Sequence, residues 1–305
     1  MTTATSPALA AAMQEIAAAV EAELDALLPQ PAGGTAWLDE AMRYACLGGG
    51  KRLRPFLTVA AADLFGVPRG RSLRAGAAIE MLHCYSLVHD DLPCMDDDDL
   101  RRGRPTVHRA FDEAAAVLAG DGLQALAFAV LADPATHPDP AVQADLVAGL
   151  ARAAGSRGMV GGQAIDLAAE ARAAGGRPLN YPEIAELQAL KTGALIRFAA
   201  EAGAILGQAG PDERAVLRDY AADLGVAFQI ADDILDHEGS AAELGKAVGK
   251  DAAAGKATFV GLLGPDEART RAQTLTNAAT ARLAEFGPAA AILQALAEFV
   301  ITRRS

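Results

Sequence analysis

Hydrophobic positions recur every three or four residues along most of the chain, which is the spacing of one face of an α-helix. Segments with this period cover residues 8–28, 35–47, 71–91, 110–131, 139–155, 182–206, 212–236 and 266–300. Glycine and proline separate these segments, and no credible run of alternating polar and apolar residues indicates strands. The pattern therefore predicts an all-α bundle of ten or more helices, whose core can hold a deep central cavity.

The composition agrees with one large helical domain. The 305 residues are 51% hydrophobic and 5% aromatic, with abundant alanine and leucine, which favour helices. The length permits two domains, but no long linker rich in Pro, Gly or Ser and no sustained repeat divides the chain. We therefore predict a single domain over residues 1–305.

Charge and segment composition exclude several classes of protein. The net charge of −12 argues against a nucleic-acid partner, because such binding rests on a basic surface. Residues 1–15 lack the features of a signal peptide, and the Ala-rich segment 114–132 is interrupted by Asp121 and Gln124. The three cysteines have no metal-ligand spacing, which fits reduced thiols. We expect a cytoplasmic protein without membrane insertion.

Two aspartate clusters interrupt apolar helical segments. The first cluster comprises Asp90, Asp91 and Asp96, and the second comprises Asp232, Asp233 and Asp236. Facing carboxylates repel one another unless cations lie between them. Carboxylate oxygens, with substrate phosphate completing the shell, are the ligands that Mg²⁺ prefers, so the clusters predict a magnesium site.

The geometry of each cluster can be worked out from its spacing. Gln229, Asp233 and Asp236 follow one another at i, i+4 and i+7, which places them on one helix face. Pro93 disfavours a regular helix beyond Asp91, so we expect Asp96 to return from a loop.

A solvated acidic surface is the alternative interpretation of these clusters. For the run Asp97 to Asp99, both a solvated surface and a functional site are compatible with the sequence. We reject it for the two triplets, because both interrupt apolar segments and both begin with an adjacent pair.

Basic residues lie where they could bind phosphate. Gly48-Gly49-Gly50 precedes Lys51-Arg52-Leu53-Arg54, where flexible backbone lets an anion approach converging cations; the alternative is a helix end with solvated charges. Arg101 and Arg102 follow the first cluster and could clamp phosphate oxygens, or could balance the acidic run. The segment Lys191-Thr192-Gly193 is a weak signal by itself, as are three later lysines. These are Lys246, Lys250 and Lys256.

Six motifs together resemble the trans-isoprenyl diphosphate synthases, also called polyprenyl synthetases. They are Gly49-Gly50-Lys51-Arg52-Leu53-Arg54-Pro55, the stretch from Glu80 to Asp96, Leu100-Arg101-Arg102-Gly103, Gly161-Gly162-Gln163, Lys191-Thr192-Gly193, and Phe228-Gln229 followed by Asp232-Asp233-Ile234-Leu235-Asp236. Their order and spacing extend over roughly residues 30 to 260, and the ending Arg303-Arg304 is also similar.

The resemblance implies a set of site residues. The six aspartates of the two clusters would hold three Mg²⁺ ions on the diphosphate of an allylic substrate. The implied ligands of the allylic diphosphate are Arg101, Lys191, Thr192, Gln229, Lys246 and Lys256. Those of isopentenyl diphosphate are Lys51, Arg54, His83 and Arg102. The residues implied in catalysis are Asp90, Asp91, Asp96, Arg101, Lys191, Asp232, Asp233 and Lys246.

The implied reaction is ionisation of the allylic diphosphate, attack by isopentenyl diphosphate and proton loss. An aromatic residue five positions before the first aspartate, here Tyr85, and an inserted Pro93-Cys94 resemble bacterial-type farnesyl diphosphate synthases. Tyr85 would lie about 7.5 Å along the helix from Asp90, but ideal rotation places Ser86 more directly beneath the carboxylate. Packing of Tyr85 between helices is the alternative to a role in chain length.

Other functions remain open at this point. Geranylgeranyl and geranyl diphosphate synthases belong to the same family. A terpene cyclase would share the first motif, but its second metal site typically has Asn/Ser/Glu spacing. A catalytically silent partner subunit would not need both motifs intact. The family also implies a homodimer.

Overall fold

The structure, a computed structural model, describes residues 6–238 and 258–303. Its α-helices are α1 (Pro7–Leu27), α2 (Ala36–Cys46), α3 (Leu53–Asp63), α4 (Arg69–Asp90), α5 (Val107–Ala110), α6 (Glu113–Ala132), α7 (Pro140–Ala154), α8 (Met159–Ala174), α9 (Tyr181–Lys191), α10 (Gly193–Leu206), α11 (Pro211–Glu238), α12 (Phe259–Leu263), α13 (Pro265–Arg282) and α14 (Ala291–Thr302). Two 3₁₀ helices cover Gly33–Thr35 and Leu283–Ala290. The only strands in these ranges, β1 (Leu100–Arg101) and β2 (Arg104–Pro105), form a short antiparallel hairpin. The predicted all-α fold is confirmed.

Local sequence chemistry sets several helix ends. The Asp112 carboxylate accepts a hydrogen bond from the Ala115 N–H at 2.7 Å and thereby caps α6. Asn180 and Glu183 form a reciprocal capping box at the start of α9, where Pro182 lies in the first turn. These residues satisfy amide groups that a helix leaves unpaired at its N-terminus.

The structure divides the predicted helix 182–206 into α9 and α10 at Thr192. At this break, Gly162 of α8 packs so closely on the chain that a Cβ there would collide with the Lys191 backbone. The predicted helix 266–300 is likewise divided into α13, a 3₁₀ helix and α14, because Gly287 has a left-handed φ of 55° and Pro288 follows it. Periodicity alone carries no information on such tertiary contacts.

Four helices were not predicted, namely the short α5 and α12 and the longer α3 and α8. α3 buries every residue from Pro55 to Ala62, so its sequence has no polar face to reveal a helical period. α8 begins Met159-Val160-Gly161-Gly162, and glycine weakens any helical signal.

The core is one continuous cluster of buried side chains, in which α4 packs against α3 and α6, and α10 packs against α3 and α11. Tyr220 of α11 donates a hydrogen bond to the Leu293 carbonyl of α14 at 2.7 Å. The Arg52 guanidinium is buried and pairs with Glu80 at 2.8 Å and Glu21 at 2.5 Å. Arg52 therefore joins α1, α3 and α4, and its charge is balanced by these two carboxylates, unlike the free phosphate-binding cation that the sequence suggested.

Within the described ranges, α6 and the segment Pro265–Thr302 are long and apolar enough to cross a membrane, with mean hydropathies of 1.7 and 1.4. Core helices of globular proteins have the same length and composition. In α6, 44% of the apolar window is buried inside the bundle.

Candidate active site

The chain folds back on itself where α4 ends. The Asp96 N–H donates to the Asp90 carbonyl at 2.8 Å, and the Asp98 N–H donates to the Asp91 carbonyl at 3.2 Å. This confirms that Asp96 returns from a loop after the helix. The three aspartates of the first cluster are thereby gathered around the C-terminus of α4.

Asp90 lies in an environment that disfavours its charged form. Its pKa is raised to about 6, mainly by burial; Lys191 and Arg101 act in the opposite direction, and the neighbouring Asp96 and Asp91 carboxylates contribute to the increase. A cation placed between these carboxylates would remove the repulsion.

Asp91 pairs with Arg101. The Arg101 Nε lies 2.7 and 2.9 Å from the two Asp91 carboxylate oxygens, and its Nη2 lies 2.5 Å from Oδ1. Arg101 extends from β1 of the hairpin, while Arg102, at the turn with a left-handed φ of 52°, donates to the Gly49 carbonyl. The hairpin thus directs one arginine to the aspartate cluster and the other to the glycine loop.

The second cluster lies on α11. Asp233 is buried, and its carboxylate accepts from the Gln229 Nε2 at 2.9 Å and from the Phe259 N–H at 2.8 Å, which joins α11 to α12. Asp232 accepts from the Arg303 Nη2 at 2.6 Å, and the Arg303 guanidinium lies 3.9 Å above the Phe228 ring. Asp236 is partly exposed one turn further along the helix.

Two adjoining cavities bring the predicted residues together. The first, about 390 Å³, is lined by Asp90 and Lys191 and by three further residues of α4, Tyr85, Ser86 and His89. The second, about 560 Å³, is lined by most of the other predicted ligands. These are Lys51, Arg54, His83, Arg102, Gln229 and Asp232. Both cavities share Arg54, His83 and Thr192, so the two aspartate motifs open on one continuous region.

The second cavity is strongly cationic. Burial lowers the pKa of His83 well below its usual value, and the guanidinium groups of Arg54, Arg102 and Arg101 lower it further. Burial also lowers the pKa of Arg54 and of Lys51. Charges that repel one another in this way are stabilised by a bound anion such as a diphosphate.

Asp166 is a site residue that the sequence analysis missed. Its Oδ2 lies 2.5 Å from the Lys191 Nζ. The sequence does contain one signal for Asp166: it lies three residues after Gln163, so the two residues share one face if this segment is a helix. That signal was lost because α8 was not predicted.

Tyr85 lines the first cavity together with Ser86, although ideal rotation favoured Ser86 alone. The Tyr85 ring meets the His89 ring edge to face with centroids 5.5 Å apart. The His89 Nε2 lies 3.1 Å from the Val117 carbonyl, and the ring occupies space that a Cβ at Gly120 would fill. Tyr85 and His89 therefore form one side of the cavity as a fixed pair.

Some predicted residues are not described by the structure, and no metal site is preformed in the rest. Lys246 and Lys256, like Lys250, lie outside the described residues. Within residues 6–238 and 258–303, no three His, Cys, Asp or Glu side chains lie close enough to hold a metal ion. The carboxylate donors nevertheless fit Mg²⁺, because this ion commonly takes one or two carboxylates and completes its shell with phosphate oxygens and water.

Comparison with known proteins agrees with this arrangement. The family model described as polyprenyl synthetase matches residues 35–296. Farnesyl diphosphate synthase of Escherichia coli (strain K12) is 46% identical, over 87% of this chain and 88% of that protein. The chloroplastic geranylgeranyl pyrophosphate synthase of Catharanthus roseus is 45% identical, over 87% of this chain and 74% of that protein.

A solved structure is also similar over nearly its whole length. The FPP/GFPP synthase of Zymomonas mobilis, in an apo structure, has a TM-score of 0.87 and 50% identity, and the match covers 96% of this chain and 98% of that one. The fold, the two aspartate motifs at adjoining cavities and these similarities lead to one conclusion: the chain belongs to the polyprenyl synthetase family and is a prenyltransferase that uses isoprenoid diphosphates.

Proposed function

We propose that this protein is a farnesyl diphosphate synthase. It condenses isopentenyl diphosphate head to tail with dimethylallyl diphosphate and then with geranyl diphosphate, in the presence of Mg²⁺, to give all-trans farnesyl diphosphate. The observation that carries the proposal is the pair of adjoining cavities, one beneath Asp90 and one lined by basic side chains. Two substrates with diphosphate heads need two such neighbouring spaces.

Each cavity suits one substrate. The allylic diphosphate would lie between the aspartate motifs, held by Arg101, Lys191, Thr192 and Gln229, with its prenyl tail against Tyr85. The diphosphate of isopentenyl diphosphate would lie in the cationic cavity, held by Lys51, Arg54, His83 and Arg102. Lys246 and Lys256 complete the proposed allylic ligands.

Mg²⁺, when bound by carboxylates of the two clusters, supplies positive charge to the departing diphosphate. Lys191 and Arg101 stabilise the same negative charge as the bond between the allylic carbon and the diphosphate oxygen breaks, and its electron pair leaves with the oxygen. The double bond of isopentenyl diphosphate then attacks the allylic cation. The proton released from the new chain passes to the free diphosphate. The apolar helix walls exclude water, which would otherwise capture the cation.

Tyr85 is the basis for proposing farnesyl diphosphate as the product. The similar proteins include both farnesyl and geranylgeranyl synthases, so overall similarity does not choose between these products. Tyr85 is 5% exposed and is braced by His89. A braced aromatic ring beside the prenyl tail would limit its length, and the resemblance of Tyr85 to the aromatic residue of bacterial-type farnesyl diphosphate synthases supports three isoprene units.

We also propose that the protein is a cytoplasmic homodimer. α6 exposes Val117 and Leu118 to 41% and 44% on its outer side, and Phe111 beside its start is 36% exposed. An exposed apolar stripe of this kind would be covered by the same stripe of a second subunit. Sedimentation equilibrium of the protein tests this: a mass of two chains is expected, and a stable monomer would contradict it.

Labelled isopentenyl diphosphate, supplied with dimethylallyl diphosphate and Mg²⁺, tests the reaction. We expect a prenyl diphosphate product that disappears when EDTA is added. Asp90→Asn should abolish this product. Asp99→Asn is the matched control and should keep it, because Asp99 is exposed and pairs with Arg109 outside the cavities. A cyclic hydrocarbon product would indicate a terpene cyclase, and the absence of any product from folded protein would indicate a silent subunit.

A further inference from the structure

Gln163 carries an amide whose hydrogen-bonding groups are unused. Its Oε1 and Nε2 are both buried, and neither has a hydrogen-bond partner among the residues that the structure describes. A buried amide without partners destabilises the folded protein, because it has given up its hydrogen bonds to water. The side chain lines the first cavity, beside Met159 and Leu167. A costly polar group facing an otherwise largely apolar wall indicates a function in that cavity.

Gln163 lies close along α8 to a charged pair of the active site. Asp166 lies three residues further along the same face and pairs with Lys191, which also acts electrostatically on Asp90. Met159 and Val160, at the start of α8, line the same cavity as Tyr85 and His89. Gln163 therefore lies on α8 between Met159, which lines the cavity together with Tyr85, and the charged pair, and it is about 4.5 Å along the helix axis from Asp166.

We propose that the Gln163 amide oxygen stabilises the positive charge that develops on the allylic carbons during ionisation. This inference rests on the proposed function. The diphosphate lies beside Lys191, and the first three carbons of the prenyl chain lie immediately beneath it, level with Gln163. When the carbon–oxygen bond breaks, its electrons leave with the diphosphate, and carbons 1 to 3 share the resulting positive charge. The partly negative amide oxygen faces these carbons.

An amide suits this position chemically. A neutral oxygen dipole that is fixed in advance stabilises a developing charge without having to reorganise. A carboxylate would attract the cation more strongly, but it is also a better nucleophile and could capture the cation as an ester. Hydrocarbon walls alone would exclude water but would offer no charge stabilisation.

The test replaces Gln163 with methionine, which keeps the length of the side chain and removes the amide. We expect the single-turnover rate with geranyl and isopentenyl diphosphates to fall roughly 10- to 100-fold, with the KM for geranyl diphosphate within about threefold of the original. Because the amide has no protein partner to lose, the melting temperature should stay the same or rise.

Gln143→Met is the matched control. Gln143 lies on α7, outside both cavities, and its Nε2 donates a hydrogen bond to the His137 carbonyl at 2.6 Å. This variant should lose thermal stability and keep its single-turnover rate, which is the reverse of the Gln163→Met result. Gln163→Asn serves as a second variant if methionine prevents folding, since it keeps an amide but withdraws it by one methylene; its rate should also fall.

Two results would overturn the inference. One is a normal single-turnover rate in folded Gln163→Met or Gln163→Asn protein. The other is a rate loss that is matched by a fall in melting temperature and a large rise in KM, as expected of a structural residue. If the unmodified protein forms no prenyl product from any allylic diphosphate, the proposed function itself fails, and that outcome is distinct from either result.

Discussion

Asp91 and Arg101 hold each other at the end of α4, with the Arg101 Nε between the two carboxylate oxygens at 2.7 and 2.9 Å. The family resemblance assigns Asp91 to Mg²⁺ and Arg101 to the allylic diphosphate. In the structure, however, the two side chains are paired with each other. Asp91→Ala should lower the free energy of unfolding by about 1–2 kcal/mol, because Arg101 loses its main partner. Urea denaturation measures this change, and a more stable variant would contradict it.

Burial raises the pKa of both Asp91 and Asp90, but the hydrogen bonds from Arg101 act in the opposite direction at Asp91, so we expect the opposite effect on stability when Asp90 is replaced. Its pKa is raised to about 6, so the folded protein binds this proton more tightly than the unfolded chain does. The protonated Asp90 carboxyl therefore contributes to the stability of the folded protein at low pH, and this contribution is lost as pH rises from about 4 to about 6. At pH 7 and without Mg²⁺, Asp90→Asn should raise the free energy of unfolding, by at most about 3 kcal/mol. Turnover should nevertheless collapse.

Denaturation at pH 4 and pH 7 supplies the control for this prediction. The stabilising effect of Asp90→Asn should be large at pH 7 and nearly absent at pH 4, where the original carboxyl is protonated. An equal effect at both pH values would mean that charge repulsion is not its cause.

Arg303 and Asp232 lead to a prediction about magnesium. The Arg303 side chain is 4% exposed and pairs with Asp232, so it competes with any cation for this carboxylate. Arg303→Ala should lower the Mg²⁺ concentration for half-maximal activity by about two- to fivefold, which corresponds to about 0.5–1 kcal/mol. Arg282→Ala is the control, because its partners Asp219 and Asp223 lie outside the two cavities. A higher Mg²⁺ requirement in Arg303→Ala would contradict the competition.

Tyr85 provides the test of chain length. Tyr85→Ala removes the ring that meets His89 and extends the first cavity, so the main product should shift from fifteen carbons toward twenty. Tyr44→Ala serves as the control, since Tyr44 packs on Arg104 and Phe111 and does not line this cavity. An unchanged fifteen-carbon product from Tyr85→Ala would refute the role of this residue.

Much of the site could be predicted because its chemistry is local in sequence. Asp90 and Asp91, or Asp232 and Asp233, are adjacent carboxylates in apolar segments, and Pro93 by itself predicts the loop that returns Asp96. These features can be recognised from the sequence alone, without knowledge of the tertiary structure.

The rest depended on contacts between distant segments. Arg52 appears beside Lys51 and Arg54 as another basic residue, but its partners Glu21 and Glu80 lie on other helices. The division at Thr192 arises where Gly162 packs against the chain. Gln163 carries no charge and follows two glycines, so only its buried, unpartnered amide reveals it.

The central claim is that the chain builds a fifteen-carbon prenyl diphosphate between two aspartate motifs. Its most direct test is chromatographic identification of the prenyl chains formed from isopentenyl and dimethylallyl diphosphates with Mg²⁺. We expect all-trans farnesyl diphosphate as the main product, and loss of that product in Asp90→Ala and Asp232→Ala protein that still folds. A different main chain length, or near-normal turnover in either variant, would contradict it.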